Sequence, residues 1–144
     1  MKDVLEDAAT WNGTQYKTIL TNDSTSGVMS IVDSVSPAGS GPPRHVHHAE
    51  DEVFVVLTGT LEWWMEGETG TCGAGEALFV PRGREHTFRV SDDAPCRHLV
   101  ILTPGGFEQF FMEMAEKGCR IPEDMAAIVE SGERHNLSFT GTPL

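Results

Sequence analysis

Two histidines two residues apart, a run of carboxylates close behind them and a lone histidine further on are the residues of this chain best suited to chemistry: His45, His47, Glu50-Asp51-Glu52 and His86. In an extended chain, alternate residues share a face, so His45 and His47 project together. Glu52 lies five residues beyond His47 and has the opposite parity, so it joins them only if the chain bends through the polar stretch His48 to Asp51. Glu50, Asp51 and Glu52 compete for the carboxylate role, because a slip of one residue reverses the face presented. His86 follows the rigid Pro81-Arg82-Gly83 turn and opens a strand from which it can point back at the first cluster. Three imidazole nitrogens and one carboxylate oxygen form a borderline donor set, suited to one divalent Fe, Mn, Co, Ni, Cu or Zn ion per chain rather than to Mg or Ca. Four protein ligands leave an octahedral ion two open positions for water, a bidentate substrate, or substrate with dioxygen.

Around this group the sequence offers a substrate pocket. Phe54 and Val56 share the face of Glu52, and with Trp63, Phe79 and Phe88 they would give a barrel interior an apolar lining, or simply a core. His98 has the parity of Val100 and Leu102, so it lines the cavity if that face points inward and is otherwise an ordinary partly buried histidine. His48 opposes His47 in parity and faces solvent or a dimer contact, and His135 sits in a polar loop with no chemical role. Arg44 is either solvated or orients an anionic substrate. Trp64 alternates with the core and falls beside Glu62 and Glu66, and an exposed tryptophan points to a homodimer interface or a covering N-terminal segment.

The elements that must hold these residues are short. Alternating apolar segments predict strands over Gln15 to Leu20, Val28 to Ser34, Glu52 to Leu57, Thr60 to Met65, Ala77 to Val80, His86 to Val90 and Arg97 to Leu102, the pattern of an all-β antiparallel barrel or sandwich. Breakers separate them at Ser36 to Pro43, Thr58-Gly59, Glu66 to Gly70 and Pro81 to Gly83. Past Pro104-Gly105-Gly106, Phe107, Phe110, Phe111 and Met114 form one helical stripe, which should lie on the barrel. A second helix should begin at Pro122, face Met125, Ile128 and Val129 inward, and end at Gly132. The sparse apolar content before Ala8 suggests a frayed tail.

A chain of 144 residues with 39% apolar content suits a single domain, 1–144, with a barrel core over about 15–103 and a helical extension over about 107–132. A formal charge of −12 argues against nucleic acid and anionic membrane as partners. A small organic substrate fits better. The three cysteines are odd in number and lack a Cys-x-x-Cys pair, which favours reduced thiols. With no signal-peptide pattern and no long apolar run, a cytoplasmic protein is expected.

Two segments resemble the paired motifs of the cupin superfamily. Gly39, His45, His47, Glu52 and Gly59 match the first in spacing, and Gly75, Pro81, Gly83 and His86 match the second, with Val90 where asparagine is usual. The segment from Leu102 to Phe111 and the C-terminal stretch from Leu137 to Leu144 look like the tail of single-domain, quercetin-dioxygenase-like cupins. The resemblance implies a double-stranded β-helix, or jelly roll, with one or two C-terminal helices, a metal held by His45, His47, Glu52 and His86, and a homodimer. It implies an enzyme, with Glu52 both ligand and general base once a dry pocket raises its pKa. A dioxygenase acting on an aromatic, flavonol-like or enol substrate is the first expectation. A zinc or nickel polyketide cyclase, isomerase or lyase is the second, and a non-catalytic ligand-binding module the third.

Overall fold

The computed structural model describes residues 5–144. The chain runs β1 (Ala9–Trp11), β2 (Thr14–Leu20), β3 (Ser30–Ser36), β4 (Pro43–His47), β5 (Asp51–Thr58), β6 (Thr60–Met65), β7 (Glu68–Gly73), β8 (Ala77–Val80), β9 (His86–Val90), β10 (Cys96–Thr103), α1 (Glu108–Lys117), α2 (Met125–Arg134) and β11 (Leu137–Pro143). One sheet has the order β1-β2-β3-β10-β5-β8 and the other β11-β4-β9-β6-β7, with antiparallel pairing throughout. From β3 to β11 the chain changes sheet at every step except the β6-β7 hairpin, as in a jelly roll, and the inner faces meet in one core. Alternation does the sorting: along β10, Cys96, His98, Val100 and Leu102 are buried while the residues between them are half-exposed.

Four strands lie outside the expected set, for reasons visible in their surroundings. β4 begins inside the proline-rich breaker. β7 starts at Glu68 because only Glu66-Gly67 turns, both with positive φ, and a sheet-edge position tolerates its glycines and threonines. β1 and β11 likewise sit at sheet edges. β3 is displaced two residues from its expected start, because the Thr25 hydroxyl donates to the Met29 carbonyl and accepts from the Met29 N–H, holding Val28 and Met29 in a turn.

α1 buries Phe110 and Met114 as its stripe requires, beside Phe107 at its N-terminus. α2 departs from expectation. It begins at Met125 rather than Pro122, Val129 is 36% exposed, and Gly132 lies inside the helix and is buried. A Cβ on Gly132 would stand 3.2 Å from the Leu137 carbonyl oxygen, so this glycine permits the helix to approach β11 and does not stop it. Of the N-terminal tail before Ala8, residues 1–4 lie outside the described residues, while the Leu5 N–H donates to Gln15 Oε1 at 2.7 Å. All three cysteines are free and buried. No helix among the described residues is long and apolar enough to cross a membrane.

Candidate metal centre

The register of one strand pair starts the site. β4 and β9 meet with His45 opposite His86, and the two rings lie 4.3 Å apart between centroids. His47, two residues on, keeps the same face, its ring 5.2 Å from that of His45. The chain then turns, and Glu52 arrives on β5 from the other sheet. The turn at Pro81 to Gly83 closes beneath it, with the Gly83 N–H donating to the His47 carbonyl at 2.8 Å.

All four side chains are buried, and one donor atom from each of His45, His47, Glu52 and His86 lies within 4.8 Å of the others. A transition metal bound at about 2.0–2.2 Å from nitrogen and oxygen needs opposed ligands about 4.2 Å apart, so a small contraction closes the set. The tautomers also fit. His45 Nδ1–H donates to the Pro43 carbonyl at 2.8 Å and His86 Nδ1–H to the Arg84 carbonyl at 2.9 Å, which leaves each Nε2 for the centre. The donor set thus suits a divalent transition ion by ligand type, burial and orientation.

Electrostatics within the cluster are tightly balanced. Burial, then the charges of His86 and His47, push His45 down to about 3. Burial works against the charged form of His86, but its hydrogen bond to Glu52, 3.0 Å from Nε2 to Oε1, and the charge of that carboxylate carry its pKa above the ordinary value. Glu52 differs from expectation. Burial does raise its pKa, but the charge of His47 and the hydrogen bond and charge of His86 outweigh burial and bring it to about 2. It is a firmly held carboxylate, not a raised one.

The three adjacent acids have separate partners. Asp51 faces outward and accepts from Arg82 through both N–H at 2.9 Å and Nε at 3.2 Å. Glu50 is buried with Oε1 3.7 Å from His47 Nδ1, and neither atom has a hydrogen-bond partner among the described residues. Sequence reasoning treats Glu50 only as a rival ligand, because parity along a strand does not reveal what sits behind a histidine across a turn.

His45, His47 and Glu52 form one wall of an internal cavity, with Phe54, Phe88 and His98 also lining it. Three other expected wall residues lie elsewhere. Val56 is fully buried in the core, Trp63 packs over Gly70, and Phe79 is 56% exposed because Val80, not Phe79, takes the inward position on edge strand β8. Their places are taken by Trp11, Tyr16, Phe107, Phe110, Phe111 and Phe139. The helical stripe signals the phenylalanines of α1, but nothing in the periodicity shows that they roof the site. Phe107 stands edge-on to His47 at 4.4 Å.

The remaining candidates are removed from the cavity. His48 is exposed and its Nε2 lies 2.8 Å from Ser138 Oγ. His135 Nε2 lies 3.5 Å from Glu113. Arg44 points outward and stacks over Trp64, 4.3 Å from the ring centroid. This contact half-covers the tryptophan expected to be exposed.

The cupin domain profile matches residues 32–102. Quercetin 2,3-dioxygenase from Bacillus subtilis (strain 168) is 28% identical over 101 residues, 70% of this chain. The chain spans 30% of that relative's length. The polyketide synthase CurC of Streptomyces cyaneus is 30% identical over 95 residues, covering 64% of this chain and 60% of CurC. Among solved structures, the polyketide cyclase RemF from Streptomyces resistomycificus superposes with a TM-score of 0.58 at 26% identity, covering 72% of this chain and 79% of RemF.

Proposed function

Because the chain is a cupin built around a domain at residues 32–102, we propose that it is a metal-dependent enzyme acting on a small aromatic or enolic substrate, in the first instance as a dioxygenase. The carrying observation is that a buried three-histidine, one-carboxylate group borders a cavity walled by aromatic rings. When bound there by His45, His47, Glu52 and His86, a redox-active divalent ion supplies Lewis acidity and an electron path to dioxygen.

The chain's own residues do the rest. Phe54 and Phe88, 5.3 Å apart and edge to face, accept a flat body. Phe107, Phe110 and Phe111 cover the opposite side, keeping water from a reactive intermediate. Glu52 is anionic and lines the cavity, so it receives the proton of an acidic substrate hydroxyl that reaches the cluster. His45 and His47 fix the side from which the substrate oxygens approach.

A second reading is non-redox ring closure, favoured by the likeness to RemF and CurC, which covers more of those proteins than of the dioxygenase. Dioxygen uptake over flavonols and polyketide-like phenols, with the chain loaded in turn with Fe(II), Mn(II), Ni(II) and Zn(II), separates the two. Stoichiometric uptake with flavonol loss is expected. Turnover under strict anaerobiosis, or with Zn(II) alone, would replace the dioxygenase by the cyclase, and ligand binding without turnover in either condition would replace both by a binding module.

A further inference from the structure

The inner face of the β2-β3-β10 sheet carries a group of buried polar side chains among apolar ones. Thr14, Ser34, Ser36 and His98 are all buried there, among Val32, Val100 and Leu102. Their hydrogen bonds form an ordered chain. Thr14 Oγ1 donates to Ser36 Oγ at 3.2 Å, and Ser36 Oγ lies 3.1 Å from His98 Nε2. With Thr14 donating to it, Ser36 turns its own proton toward Nε2, which places the imidazole proton on Nδ1. That Nδ1 is buried and has no partner among the described residues, and neither has Ser34 Oγ. Burial holds His98 down to about 4, so the ring is neutral. Buried polar atoms are rarely left unpaired, and here the histidine lines a cavity.

His98 also stands apart from the metal cluster. Leu102 pairs with Glu52 across β10 and β5, and His98 lies four residues along β10, about 13 Å of strand. Between the two lie Phe54 and Phe88, whose rings are 6.0 Å and 5.6 Å from the His98 ring. The cavity therefore has a polar group at each end of an aromatic slot.

We propose that His98, oriented by Ser36 and Thr14, is a specificity-determining residue that donates from Nδ1 to a second oxygen of the substrate, so that the site selects aromatic molecules oxygenated at both ends. This rests on the reading that substrate oxygens engage the His/Glu cluster. A substrate with one oxygenated end leaves Nδ1 unpaired and binds less well, since a site built to hydrogen-bond a group discriminates against analogues lacking it.

The test uses the full chain loaded with Zn(II) and 3-hydroxyflavone as probe, against its 7-hydroxy and 4′-hydroxy derivatives, with dissociation constants from calorimetry before and after chelation of the zinc. At least one hydroxylated derivative should bind about tenfold tighter than the parent. His98→Leu should bring that ratio to about one, while His98→Asn, whose amide nitrogen can stand near the Nδ1 position, should retain part of it, as should Ser36→Ala. Circular dichroism on each variant checks folding. A wild-type ratio of one, or a ratio that survives His98→Leu, overturns the proposal. Affinities that ignore zinc while the ratio persists would instead overturn the metal-chelate reading and leave His98 in place, and failure of all three flavonols to bind would overturn both.

Discussion

His86 comes from a separate part of the sequence, faces His45 across β4 and β9, and hydrogen-bonds Glu52. Replacing it with alanine removes one of four donors without touching the β4 pair, so His86→Ala should lose most of its bound metal while the far-ultraviolet circular dichroism stays that of the wild type. Metal analysis after dialysis reads the result, and a variant keeping one full equivalent would remove His86 from the ligand set. At this scale the grouping of the candidate ligands was legible, since spacing and parity already set His45 with His47 and called for a bend before the acid. The sorting of Glu50, Asp51 and Glu52 was not, because it depends on Arg82 and His47 lying on different sides of one turn. Nor was the low pKa of Glu52, which comes from three histidine charges converging in space.

The two helices are joined by one acid. Glu113 on α1 accepts from Arg134 at 2.8 Å, from Ser131 and, within α1, from Lys117 at 3.1 Å. These bonds, Arg134 first, hold its pKa far below the usual carboxylate range. A depressed folded-state pKa gives stability that is fully present above the unfolded value of about 4.3 and declines as pH falls toward the folded one. Glu113→Gln should therefore lower Tm by a few degrees near neutral pH, with the gap to wild type narrowing below about pH 4; a gap that is constant with pH would show that packing, not charge, is lost. Legibility of elements follows their burial. β5 and β10 alternate between core and surface over most of their length and could be read directly, whereas β1, β7 and β11 are edge strands, β4 is proline-led, and none of these four shows a sustained apolar alternation. The misread end of α2 has a physical cause: Gly132 has the composition of a helix stop but serves a close approach to β11.

For the molecule as a whole, the jelly roll was legible because two separated motifs fix the strands that carry them, while the identity of the cavity roof was not, since Trp11, Phe107 and Phe139 come from both ends of the chain. The division of the ligands has a thermodynamic consequence. His45, His47 and His86 stand on one sheet and Glu52 on the other, so an ion held by all four is a cross-brace between layers otherwise joined by packing and by the connections of the chain. Such an ion binds the folded chain and not the separated sheets, and each tenfold excess over its dissociation constant should add about 1.4 kcal/mol to the free energy of unfolding. Calorimetric melting across a Zn(II) titration should show Tm climbing with the logarithm of free metal, and a Tm indifferent to saturating zinc would mean that the four donors do not act together. The melting temperature then serves as an occupancy gauge, readable before any substrate has been found.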